Sequence, residues 1–317
     1  MKKRSIALLA GLMTVGMVSF SADNTFNIND RVRFDENRLE VNGNLHFDQN
    51  NNLEIRIRDY NKIGTTFGSD IGDGTGKGET TERTEVRMRL HTQTSVENLE
   101  VRTELKTNTY SGDKNKQYFR VQPSLHLFND VDGLSSVMRA GLAFEHTSSD
   151  NDSTSNAYSI STSFENSYTV NDYLAVEGNI YYDYTMGGKS TDDYNNVDIE
   201  AYVYTNYPLY SSDYMAITAL LEGGFDPYSF GARQFNNLTD VSGSKTEGHE
   251  TYVLYAQPSV KATKMLNKDN SVYLQAGYYI ETTNNNDKKA TGTQTFNGTS
   301  DDYNDSAFVR VGFSSKF

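Results

Sequence analysis

The sequence predicts an all-β chain, a transmembrane antiparallel up-and-down β-barrel of about fourteen strands within a range of twelve to sixteen. Three observations carry this. From residue 26 onward, segments of about ten residues alternate apolar and polar side chains with a period of two. The connections between them are alternately short and long. The apolar fraction is 36% and the mean hydropathy −0.66, below the ~45–50% apolar content usual in a soluble globular chain, while 22 Tyr and 16 Phe argue against disorder. A soluble sandwich would alternate in the same way, but its inner layers need matched bulky apolar groups. Here the polar face of segment after segment is dense with Arg, Glu and Tyr, and a barrel needs only one apolar face.

Residues 1–21 read as an export signal: Lys2, Lys3 and Arg4, an apolar run over 6–18, then Ser19 and Ser21 as the small residues before a cut after Ser21. The run falls short of the ~20 residues of a spanning helix. Its removal takes away three cations and no anion, leaving the rest more acidic than the −13 of the whole chain. Residues 22–317 are expected to form a single barrel domain. The absence of Cys excludes disulfides, thiolate chemistry and Cys-based metal sites. The acidic balance argues against nucleic acid as a partner.

Taken in order, the predicted strands are 26–34, 38–47, 53–63, 82–93, 98–110, 117–128, 135–146, 157–168, 173–184, 196–207, 214–225, 250–263, 271–282 and 305–317. The pattern is plain in 38–47, where Leu39, Val41, Leu45 and Phe47 alternate with Arg38, Glu40, Asn42, Asn44 and His46. It recurs in 83–92, with Val86, Met88 and Leu90 against Glu85, Arg87 and Arg89, and in 99–107, with Val101 and Leu105 against Arg102, Glu104 and Lys106. In a strand the two sets face opposite sides of the sheet. The first inter-strand link, 35–37, is very short; after it, short turns such as 48–52 and 94–97 alternate with mostly longer loops such as 64–81, 226–249 and 283–304. Both termini therefore fall on the short-turn side. Aromatics such as Phe47, Tyr110, Tyr158, Tyr173 and Tyr207 gather near the strand ends, as rings at two membrane interfaces should.

The inward set is unevenly charged. The first seven strands contribute Arg56, Arg58, Arg83, Arg87, Arg89, Arg102, Arg120 and Arg139 among their cations, interleaved with glutamates; strands eight to thirteen contribute Glu177, Asp183, Asp198, Glu200, Glu222 and Glu281 with several Tyr, against Lys261 alone. One basic and one acidic wall would set a transverse field that orders pore water, admits small hydrated solutes and disfavours apolar ones. Pairing of these charges between neighbouring strands, as simple bracing, is the alternative reading.

The signal segment, the alternating strands and the terminal strand with Ala307, Val309, Val311, Phe313 and Phe317 on one face resemble a Gram-negative outer-membrane β-barrel, and the strand number is most similar to the monomeric porins of the OmpG type. The resemblance implies a water-filled channel for passive diffusion of ions and small hydrophilic solutes, lodged in outer-membrane lipid and lipopolysaccharide. It implies a monomer rather than a trimer, with both termini periplasmic. It also implies that Phe313 and Phe317 signal to the barrel-assembly machinery, and that loop 226–249, which carries His249, is the counterpart of a mobile gate; Phe230 and Phe235 in it either fold into the pore mouth as a constriction or mark a contact surface. No cofactor, metal or enzymatic activity is expected.

Other readings compete. Loops 64–81, 226–249 and 283–304 could present an adhesive or receptor surface. His146, Ser148 and Asn156 form a His-x-Ser pattern with a later Asn, vaguely like that of outer-membrane phospholipases. Acid pairs Asp70/Asp73, Asp150/Asp152 and Asp301/Asp302 are expected to be solvated loop carboxylates rather than protease acids, with Asp192/Asp193 or Asp301/Asp302 as candidates for a bridging cation. His46, His91 and His126 are expected to be ordinary lumen residues.

Overall fold

A computed structural model describes residues 24–33, 36–62, 83–110, 115–148, 154–187, 194–225, 235–237, 251–288, 294–296 and 306–317. The export signal and most of the long connections lie outside the described residues. The strands are β1 Thr25–Arg33, β2 Glu36–His46, β3 Asn51–Lys62, β4 Arg83–Gln93, β5 Leu99–Tyr110, β6 Asn115–Leu127, β7 Leu134–Ser148 and β8 Thr154–Asn171. They continue with β9 Leu174–Gly187, β10 Tyr194–Ser211, β11 Met215–Phe225, β12 Phe235–Asn237, β13 Thr251–Met265, β14 Asn270–Lys288, β15 Gln294–Phe296 and β16 Ser306–Lys316. All fourteen expected strands are present, most within two or three residues of their expected ends; β10 runs on to Ser211 and β14 to Lys288, beyond the expected 207 and 282.

Each long strand pairs antiparallel with its sequence neighbours, β10 joins β11, and β16 joins β1 over Thr25 to Arg33, so the sheet closes without an edge. At the seam Asn24 N–H donates to Phe317 O at 3.2 Å and Phe317 N–H to Asn24 O at 3.0 Å. Closure matters because an unpaired edge has no water to bond in a bilayer. The short strands β12 and β15 pair outside the ring, on Asn195–Val197 of β10 and Asn286–Lys288 of β14. They fall inside segments expected to be loops.

The outward face is apolar and bare: Leu142 is 67% exposed, with Ile180, Leu274 and Val311 similarly open. Near the short-turn end the rings of Tyr173 and Tyr207 lie 5.4 Å apart, and toward the other end those of Phe144 and Tyr158 lie 5.3 Å apart. β8, β10 and β14 run to 18, 18 and 19 residues, far beyond the ~9–11 that cross a bilayer. Their additional residues, such as Thr282 to Lys288, carry no apolar alternation in sequence.

Short turns fix the register. The Asp48 carboxylate accepts from Asn50 N–H at 2.7 Å, Asn51 N–H at 2.8 Å and the Asn51 side-chain amide at 2.8 Å. Such Asx clasps mimic a backbone turn. These bonds, the Asn51 amide foremost, hold the Asp48 carboxyl below its usual pKa, so the clasp is complete at neutral pH and is lost as pH falls through that lowered value. Asn267 makes the same arrangement with Asp269 and Asn270.

Glycines on the inner face make room for wide side chains. Gly224 stands directly between Tyr202 and Tyr255 on its two neighbouring strands, and a Cβ there would meet Tyr202 Cδ1 at 2.5 Å and the Tyr255 ring closer still. The rings therefore lie along the wall rather than across the lumen, the way aromatics cover sheet glycines. Gly224→Ala is expected to cost about 1–3 kcal/mol by overpacking, whereas Gly178→Ala, with nothing within 4 Å, stays within about 0.5 kcal/mol of wild type. Urea unfolding of the refolded barrel in micelles, followed by tyrosine fluorescence, measures both.

Candidate functional site

Fourteen strands at the usual spacing and tilt give a backbone diameter of roughly 25–28 Å, between the filled eight-stranded barrels and the open porins. The inward side chains leave a cavity of about 760 Å³ bordered almost wholly by charged and tyrosyl groups. Which charges meet is decided by cross-strand register, because directly opposed residues on one face are closest neighbours.

Following direct partners around the inner wall gives rows. One row climbs through Lys261, Gln275, Arg310, Arg31, Arg38, Tyr60, Arg83 and Tyr110, on strands β13, β14, β16 and β1 to β5. The next runs through Asn29, Glu40, Arg58, Glu85, Asn108 and Lys116. Below it lie Asn42, Arg56, Arg87, Lys106, Tyr118 and Glu145, and then Glu54, Arg89, Glu104 and Arg120. Rows dominated by cations thus alternate with rows of mixed sign.

Carboxylates of the mixed rows bind within and between rows. Glu40 is ion-paired with Arg58 and lies 3.9 Å from Arg38. Glu85 accepts from Arg56 Nη2 at 2.6 Å and Nε at 3.1 Å, Glu104 pairs with Arg89, and Lys116 meets Glu145 at 3.0 Å. Cations also rest on rings: Arg83 lies 4.5 Å from the Tyr60 centroid and Arg120 4.8 Å from that of Tyr118. Neighbouring charges are thus paired between strands, while cations still predominate on this arc.

The two walls meet at a seam of small residues. Gly141, Ala143, Ser159, Ser161 and Ser163 face inward on β7 and β8. Across this gap Arg102 Nη2 donates to Gln122 Oε1 at 2.5 Å, and Gln122 Nε2 donates to Ser161 Oγ at 3.0 Å. Gln122 can reach over β7 because Gly141 has no Cβ, which would stand 2.5 Å from Gln122 Cγ. Beyond the seam lie Glu165, Glu177, Asp183, Asp198, Glu200 and Glu222, with Tyr181, Tyr202, Tyr204 and Tyr255 between them. Tyr255 donates to Glu222 at 2.7 Å and Tyr204 to Glu177 at 3.2 Å.

Arg56, Arg58, Arg83, Arg87, Arg89, Arg102 and Arg120 border the cavity, and so do Glu177, Asp183, Asp198, Glu200 and Glu222. Arg139 is buried in the wall against Glu165. The backbone of Glu281 lies in β14, but its side chain is outside the described residues, as are Phe230 and His249. Phe235 falls in β12, opposite Val197. Phe313 and Phe317 lie in the closing strand and its end, with Phe313 opposite Ile28. The Asp70/Asp73, Asp150/Asp152, Asp192/Asp193 and Asp301/Asp302 pairs all lie outside the described residues.

His146 and Asn156 are directly opposed and share a hydrogen bond of 2.7 Å between Nδ1 and Oδ1. No hydrogen bond joins Ser148 to His146 among the described residues. His91 is not an isolated lumen residue: its ring lies 2.8 Å from Glu100 and 3.5 Å from Glu54, and Glu100 lies 3.7 Å from His126. Among the described residues no group of three or more His, Asp or Glu is placed to hold a metal ion.

A closed fourteen-stranded antiparallel ring with a polar lumen and an apolar exterior has the architecture of outer-membrane β-barrels. No family model and no curated protein matches the sequence. In structure the chain is similar to CdiB from Acinetobacter baumannii, with 7% identity and a TM-score of 0.48 over 94% of this chain and 61% of that one. It is also similar to OmpT, an outer membrane protein of Vibrio cholerae, with 9% identity and a TM-score of 0.38 over 95% and 99%. The NanC porin gives 8% identity and a TM-score of 0.36 over 93% and 100%.

Because Arg56 and Glu85 are each mostly buried and bonded through two nitrogens, a double-mutant cycle of Arg56→Met and Glu85→Gln is expected to show a coupling of about 1–3 kcal/mol. Urea unfolding midpoints of the four proteins measure it.

Proposed function

We propose that this protein is an outer-membrane diffusion porin, a monomer with periplasmic termini like the OmpG type, passing ions and small hydrophilic solutes. The observation that carries the reading is the lumen: a water-accessible cavity with an arginine-rich arc on one side and a carboxylate and tyrosine wall on the other, divided by a strip of small residues. Charges fixed on opposite sides of a narrow pore orient water across it, and a solute that cannot replace those hydrogen bonds is held back. Assembly would proceed through the closing strand, with Phe313 and Phe317 as its signal. No catalytic role is assigned to the lumen carboxylates, of which Glu85 and Glu104 are engaged by Arg, Glu177 and Glu222 by Tyr and Glu100 by His91.

Reconstituted into a planar bilayer under a salt gradient, the protein is expected to give stepwise conductance. Combined replacement of Arg56, Arg87 and Arg102 by Ala should shift the reversal potential toward cation preference and enlarge the unit conductance. Unchanged conductance and preference would reduce these arginines to bracing.

A second reading, acyl hydrolysis, has one observation in its favour, the His146–Asn156 hydrogen bond with Ser148 two residues along the same strand face. It predicts release of fatty acid from phospholipid micelles that Ser148→Ala abolishes. Hydrolysis at background level in wild-type protein would end that reading.

A further inference from the structure

Arg310, Arg31 and Arg38 occupy directly opposed positions on three consecutive strands, β16, β1 and β2. Direct partners on one face have Cβ atoms about 4.5–5.5 Å apart, so three like charges stand side by side on the lumen wall. The row that contains them holds no carboxylate along its described length. At its lower end Lys261 rests 4.3 Å from the Tyr273 ring, and at its upper end Arg83 rests on Tyr60.

Two carboxylates near Arg38 and Arg310 are held by other groups. Glu40, 3.9 Å from Arg38, is already held by Arg58, and Glu222, which acts on Arg310 from a distance, takes the Tyr255 hydroxyl. Arg310 itself has a long bond of 3.5 Å to Gln275. Arg31 and Arg38 are only 5% and 7% exposed, and the Nε groups of Arg38 and Arg310 are buried without an acceptor among the described residues. Opposed like charges destabilise a sheet, and a buried guanidinium donor without an acceptor adds to that cost. A bound anion relieves both at once.

We propose that Arg310, Arg31 and Arg38 form a binding site for the oxyanion group of a small anionic solute: a carboxylate, phosphate or sulfate. Planar guanidinium forks match the oxygens of such groups in pairs, which a chloride ion cannot exploit. The inference rests on the channel reading and narrows it, since a solute carrying this group would pause on the row as it crosses.

The test uses the full barrel in two settings. In micelles, inorganic phosphate replaces chloride at constant ionic strength, and the urea midpoint is followed for wild type and for Arg31→Gln with Arg310→Gln. The site predicts a saturable rise in midpoint for wild type and at least a tenfold weaker dependence on phosphate in the variant. A general salting effect would act on both equally. Should the double variant fail to refold, Arg31→Lys with Arg310→Lys keeps the charge and removes the forks, and the site predicts the same tenfold loss. In bilayers, phosphate should reduce the chloride current of wild type in a concentration-dependent way, with Lys268→Gln in an exposed turn behaving as wild type. Equal phosphate response in wild type and either arginine variant overturns the site. Stepwise conductance without phosphate block overturns the site and leaves the porin reading standing; phosphate binding without conductance overturns the porin reading alone.

Discussion

The structure depends on one constraint: no strand of the sheet can end unpaired. Where backbone polar groups lie in hydrocarbon, each unsatisfied one costs several kcal/mol, and the pairing of β16 with β1, continued by Asn24 and Phe317, removes the last edge. Closure in turn fixes the register of every strand relative to its neighbours. With a side-chain period of two, a slip of one residue would carry every lipid-facing side chain inward and every arginine outward.

Function is built on the face that closure encloses. The outer face asks only for apolar bulk, and Leu, Ile, Val, Phe and Tyr supply it interchangeably. The inner face has specific chemistry: rows of cations above and below rows of mixed sign, a seam of Gly, Ala and Ser, and a wall of Glu, Asp and Tyr. The seam thins the contact between the two walls: Gln122 bridges it without charge, and Arg139 and Glu165 form an ion pair across β7 and β8. Tyrosines lie flat where glycine stands beside them, as at Gly224, so the wall is lined with rings and hydroxyls without being filled by them. The result is a lumen whose charges are held in place by neighbours on the same wall.

Parity was legible in the sequence and register was not. Alternation alone assigned Arg56, Arg87 and Arg102 to the lumen and Leu105 and Val311 to the lipid, because the bilayer enforces a strict two-residue period. The rows could not be read there, since they depend on how many residues each turn consumes: Arg310, Arg31 and Arg38 are far apart in sequence or separated by an irregular link, and nothing local marks them as adjacent. The same holds for His91, Glu100 and Glu54, which come together from three strands. Strand ends beyond the bilayer were underestimated in β8, β10 and β14 because the signal being followed, apolar alternation, stops where lipid stops. Phe308, 2% exposed on the inner face beside Tyr279, has the lumen's parity but the chemistry of the outside, and only the packed structure explains its place.

The central claim is that a water-filled lumen lies on one parity of each strand. The chain contains no Cys, so single cysteines can be placed at will. At Lys106, Asn108, Tyr181 and Asp183, on the inner parity of β5 and β9, a water-soluble, membrane-impermeant thiol reagent should label the protein in lipid vesicles. At Leu105, Thr107, Ile180 and Tyr182 it should not. Labelling of both sets alike, or of the second set alone, would contradict a water-filled lumen on one parity of the strands.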